Sequence, residues 1–161
     1  MAINANFAAF RAFSVAKSET SSLEFQSNPG NNVVDMLKKI NALHDAALYG
    51  DEVAVRPLAV EAAEGVVFAS LMHGYLPAAS EIVGDGMGGI EISWREGKRE
   101  MLLSIAASRP DLPPDIYLML VDRAESERSK RFRTIRQEIP RSLVEHISWL
   151  KTPVVIPTPQ S

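Results

Sequence analysis

The residues able to do chemistry in this chain are few and widely spaced. Its three histidines are His44, His73 and His146. None stands three to five residues from another, as zinc-binding histidines do, and no cysteine is present to complete such a site. The lack of cysteine also excludes disulfides and a thiol nucleophile. Glu61 and Glu64 lie one helical turn apart. Paired carboxylates serve acid–base catalysis when their surroundings push their pKa values apart. With no histidine at a useful offset, this pair reads as a solvated helix face. Asp111 and Asp115 flank prolines and read as turn formers. Gly84, Gly86 and Gly89 have the spacing G-x-G-x-x-G. A dinucleotide site needs a strand before that loop and a helix after it, whose amino terminus holds the pyrophosphate. Here apolar residues of period two follow, so the motif reads as a flexible turn feeding a hairpin. No G-x-S-x-G elbow or P-loop occurs. The expectation is therefore a non-enzymatic chain, with no catalytic, metal-binding or cofactor-binding residue and no cofactor. An enzyme would need a dispersed site, with acids gathered near Trp94 or a histidine.

Charge carries more information. The net charge of the 161 residues is −3. Residues 1–122 hold nine basic and sixteen acidic side chains, a net of −7; residues 123–161 hold eight and four, a net of +4. The positive run is Arg123, Arg128, Lys130, Arg131, Arg133, Arg136 and Arg141, with Phe132 and Ile135 between. Arginine binds carboxylate and phosphate through two parallel hydrogen bonds. The run reads as a solvated face, as an interface for an acidic partner (a second copy of the chain included), or as a phosphate contact on nucleic acid. Arg128, Lys130, Arg131, Arg133 and Arg136 are its candidate partner- or anion-binding residues. Overall acidity weighs against a dedicated nucleic-acid domain, which is normally basic.

The amino-terminal segment carries Phe7, Phe10 and Phe13 around Arg11, and the first acid is Glu19. It has too few Ser and Arg for a transit peptide, and Arg11 interrupts the apolar run a secretory signal needs. Three aromatics three apart stripe one face of a short helix. They make an arm that packs on its own domain or anchors a partner. Residues 18–32 are rich in Ser, Asn and Gly and read as a linker. The expected organisation is an arm and linker over 1–32, one domain over 33–151 and a proline-rich tail over 152–161. No run of about 18 apolar residues occurs, so no membrane span is expected.

The elements that must position these groups follow from periodicity. A helix is expected after Asn31 or Asn32, with Val33, Val34, Leu37, Ile40, Ala47 and Leu48 mostly on one face and Gly50 as its stop. A second runs from about Asp51 to His73. Its regular part begins near Arg56, because Pro57 is tolerated only in a first turn. The alternation of Ile90, Ile92 and Trp94, then of Arg99, Met101, Leu103 and Ile105, predicts a hairpin. A two-residue loop at Glu96-Gly97, or a four-residue loop from Arg95 to Lys98, pairs Ile92 with Met101 and Ile90 with Leu103. Trp94 then faces Arg99 as a cation–π pair. Ile116–Val121 reads as a strand buried on both faces. A last helix follows Ile139, with Pro140 in its first turn and Ile139, Leu143, Ile147 and Leu150 as its stripe. The fold class is α+β: an N-terminal helical pair, an antiparallel sheet built on a hairpin, and a C-terminal helix.

Pro77, Gly88, Gly89, Ile90, Ile92, Trp94, Gly97, Met101, Leu103 and Ile105 resemble a pattern in a loosely defined group of small uncharacterised bacterial proteins. In that group an alanine-rich helix leads through a Gly-Gly turn to a Gly-Ile-x-Ile-x-Trp hairpin. The resemblance covers about residues 62–105 and implies a bacterial or phage origin and a cytoplasmic location. It implies no activity. The sequence therefore points to a protein-binding accessory or regulatory role. The alternative is a nucleic-acid-associated regulator using residues 123–141.

Overall fold

The computed structural model describes residues 29–123, 128–132 as backbone, and 138–152. The described elements run α1 (Pro29–His44), α2 (Pro57–Ser70), β1 (Glu81–Gly84), β2 (Ile90–Glu96), β3 (Arg99–Ala106), β4 (Asp115–Asp122), β5 (Arg128–Phe132) and α3 (Ile139–Lys151). The strands form one antiparallel sheet in the order β1-β2-β3-β4-β5. Helices precede and follow it, so the α+β layout stands. All three helices pack together and against the sheet: α1 on α2 and β1, α2 on β2 and β3, α3 on α2, β2, β3 and β4. None is long and apolar enough to cross a membrane among the described residues.

The core lies where the period-two face of the sheet meets the helical stripes. Ile90, Ile92, Trp94, Met101, Leu103, Ile105, Ile116, Leu118 and Leu120 are buried from the sheet side. Ile139, Leu143, Ile147 and Leu150 come from α3, as the stripe requires. Trp94 is 1% exposed, and its Nε1 donates to the Pro77 carbonyl at 2.9 Å. That bond satisfies the indole's one donor inside the core and ties the segment leaving α2 to the sheet.

Several sequence expectations are corrected. The hairpin keeps its faces but shifts by two residues: Ile92 pairs with Leu103, Ile90 with Ile105 and Trp94 with Met101. The two-residue loop is Gly97-Lys98, because Gly97 takes φ 57°, a conformation glycine adopts without steric penalty. An even shift preserves the pleat, so hydrophobic pattern alone does not detect it. Arg99 consequently lies opposite Glu96 and stacks over Trp149 of α3 at 5.1 Å instead of meeting Trp94. The β4 strand is buried on one face only, with Tyr117, Met119 and Val121 half-buried. Helix α1 opens at Pro29, earlier than Asn31 or Asn32 allows, and stops at His44. Residues 44–54 are all exposed, so Ala47 and Leu48 find little to pack on among the described residues and the helix is not carried on to Gly50. The short β1 strand carries too little pattern to read from sequence.

Candidate functional site

The glycine loop is a turn between β1 and β2, and it is fastened rather than flexible. Asp85 Oδ1 accepts the backbone N–H of Met87 at 2.8 Å and of Gly89 at 2.7 Å. The Asp85 carboxylate thus occupies two amides of the kind that would cradle a phosphate. A Cβ on Gly89 would sit 2.2 Å from the Ile105 carbonyl, so the backbone passes there too closely for any side chain. On its other flank the loop meets the segment that enters α2. Val53 N–H donates to Gly86 O at 2.8 Å, Arg56 N–H donates to Gly88 O at 2.9 Å, and Val53 pairs with Met87 as a parallel bridge.

That junction presents apolar side chains to solvent. Tyr49 is 78% exposed, Met87 65%, Leu48 51% and Val53 39%. The turn carrying Tyr49 is closed by Glu52 N–H donating to Tyr49 O, while Glu52 Oε2 accepts the Tyr49 N–H, both at 3.3 Å. Asp45, Asp51 and Glu52 are exposed around it. Backbone hydrogen bonds therefore pin together two turns that carry exposed apolar side chains, with acidic residues next to them in the chain.

An open groove of about 700 Å³ lies along α2. One wall runs from Leu58 to Ala69; the other is Asp111, Pro113 and Pro114, with Pro140 of α3 at its foot. Glu61 and Asp111 are its acidic groups. Gly65 lines it in mid-helix, where glycine costs about 1 kcal/mol relative to alanine. Beyond its own helix backbone and chain neighbours, no described atom lies within 4 Å of where its Cβ would sit, so packing among the described residues does not require glycine. Glu64 points elsewhere and accepts a hydrogen bond from Asn41 Nδ2 of α1. Glu61 and Glu64 do not converge.

The basic run divides. Arg128, Lys130 and Arg131 fall in β5, opposite Asp122, Leu120 and Met119 of β4. Successive strand positions alternate between faces. Arg128 and Lys130 thus share one register face and Arg131 takes the other. Arg123 Nη2 donates to Glu100 Oε2 at 3.2 Å. Glu100 also accepts from Arg95 Nε at 2.7 Å, and Arg95 Nη2 donates to Glu81 at 3.2 Å. The Arg95 guanidinium is pushed above its ordinary pKa, first by its hydrogen bond to Glu100 and also by Glu81. Arg133, Arg136 and the aromatic residues Phe7, Phe10 and Phe13 lie outside the described residues.

Of the histidines, His44 ends α1 beside Asp45, and His146 Nδ1 lies 2.6 Å from Ser142 O. No group of three or more His, Asp or Glu able to hold a metal occurs among the described residues. Comparison with protein-family models, with curated proteins and with solved structures returns no match. Neither the apolar junction nor the groove is visible in the sequence. Each joins residues far apart in the chain, and the one local signal is an unexplained glycine at position 65.

Proposed function

We propose that this chain is a non-enzymatic, protein-binding accessory or regulatory protein, cytoplasmic and of bacterial or phage origin. The observation that supports it is the junction of Tyr49, Val53 and Met87. Backbone hydrogen bonds fix the turns that carry these exposed apolar side chains, so little backbone freedom is lost when a partner covers them. Tyrosine and methionine are enriched at such surfaces. The neighbouring acidic residues suit a partner face that is apolar with cations around it. The test is co-purification from native lysate with the doubly substituted chain, Tyr49→Ser and Met87→Ser, as reference, alongside mass measurement by light scattering. A partner, or a second copy, should be retained by the native chain and lost from the substituted one at unchanged melting temperature. A native chain that stays monomeric and captures the same proteins as the doubly substituted chain overturns the reading.

A second reading rests on Arg128, Lys130 and Arg131 falling together in β5, the outermost described strand on its side of the sheet: a nucleic-acid-associated regulator. Binding to duplex DNA or RNA at low salt, weakened by Arg131→Glu with a shallower salt dependence, is its expected signature. Failure to bind either at low salt removes it.

A further inference from the structure

We propose that the groove along α2 seats the chain's own aromatic segment, residues 7–13, docked within the same molecule. The groove is apolar apart from two carboxylates, Glu61 on one wall and Asp111 on the other. Residues 7–13 read Phe-Ala-Ala-Phe-Arg-Ala-Phe, and Arg11 is their one charge. No acid precedes Glu19 to oppose those carboxylates. The complementarity is therefore twofold: three aromatic rings for the apolar walls and one guanidinium for the acidic rim. A cleft of this volume is in the range that encloses a ligand of several rings. The basic run does not offer the same match, because its aromatic content is Phe132 alone and that residue is paired into the sheet opposite Leu118.

Connectivity permits the docking. Residues 14–28 join the segment to α1 and reach up to about 50 Å when extended. A domain of this length has a radius of gyration of about 15 Å, so the segment can reach any face. Gly65 gives the seat its independent support. The described core leaves its Cβ position open, yet the residue stands mid-helix where glycine is costly. An aromatic ring lying against the bare backbone at Gly65 accounts for both facts. Neither Tyr49 nor Met87 lines this groove, so the proposal stands or falls separately from the contact surface at the junction.

The experiment uses the full chain carrying Phe7→Ala, Phe10→Ala and Phe13→Ala, which leaves the groove free. The probe is a fluorescein-labelled synthetic peptide of residues 5–15. The peptide should bind the triple variant and bind the native chain about tenfold more weakly, since the native segment competes. Adding Gly65→Met to the triple variant should weaken binding by about tenfold or more. The pair Glu61→Gln and Asp111→Asn should act in the same direction, and it keeps the test decisive if Gly65→Met fails to melt cooperatively. No binding at about 1 mM peptide, equal binding to native and triple-variant chains, or indifference to both groove changes overturns the proposal. Equal binding would assign the groove to a segment of another protein. A native dimer that becomes monomeric in the triple variant would assign it to a second copy and overturn docking within one molecule.

Discussion

Arg99 holds two layers together. Its Nε donates to Asp122 Oδ2 at 3.0 Å, and its Nη1 donates to the carbonyls of Trp149 at 2.7 Å and Thr152 at 2.8 Å. A cation is thereby placed on the negative end of α3, and the guanidinium plane covers the Trp149 ring. Hydrogen bonds to charged groups are worth about 1.5–3 kcal/mol. Arg99→Ala should therefore destabilise the fold by about 2–3 kcal/mol in urea unfolding, and Arg99→Lys should restore less than half of that, because it lacks the planar fork. Ser93 offers the opposite case. It is 3% exposed, and its Oγ has no hydrogen-bond partner among the described residues. Ser93→Ala should be neutral or stabilising by up to about 1 kcal/mol, read as a rise in urea midpoint. Burial of Trp94 is legible from alternation alone. The partner of Arg99 is not, since Trp149 lies fifty positions away and belongs to another element.

The elements separate two uses of glycine that sequence cannot tell apart. Gly97 has φ 57° with open space around it, whereas Gly65 has ordinary helical backbone with equally open space. Gly97→Ala should cost about 1–2 kcal/mol through left-handed backbone strain. Gly65→Ala should gain up to about 1 kcal/mol from helix propensity, less whatever docking it obstructs. Thermal unfolding of the two variants should thus move in opposite directions. Faces are readable in the sequence where the period is clear: Ile139, Leu143, Ile147 and Leu150 all reach the core, as do Ile90, Ile92 and Trp94. Register and ends are not. The hairpin differs by two from its expected pairing because both registers bury the same residues, and α1 ends at His44 because tertiary support stops there. The apolar run of β4 reads as doubly buried, yet its neighbours cover one face more completely than the other.

Across the whole molecule, the acidic body and basic carboxyl-terminal region meet within one sheet. Arg123 of the basic run pairs with Glu100 of β3, which also holds Arg95. Part of the basic run is thus neutralised by the domain itself. Cations on β5 also suit an outer strand, where charge discourages pairing with another chain. Replacing Tyr49 and Met87 by serine should leave the unfolding free energy from urea titration within about 0.5 kcal/mol of native, because neither side chain is buried. The altered property should be association, read by light scattering at rising concentration. The junction is invisible in the sequence because Val53 and Met87 become neighbours only when two connections are pinned together. The consecutive order of the strands has a kinetic consequence. Each strand pairs with its neighbour along the chain, so the sheet can zip upward in the order of synthesis with short loops to close. Helix α3 follows every described strand in chain order, so its docking on the sheet is expected to come late in folding. Trimming its core contacts, as in Leu143→Ala, should therefore accelerate unfolding far more than it slows refolding in stopped-flow chevrons.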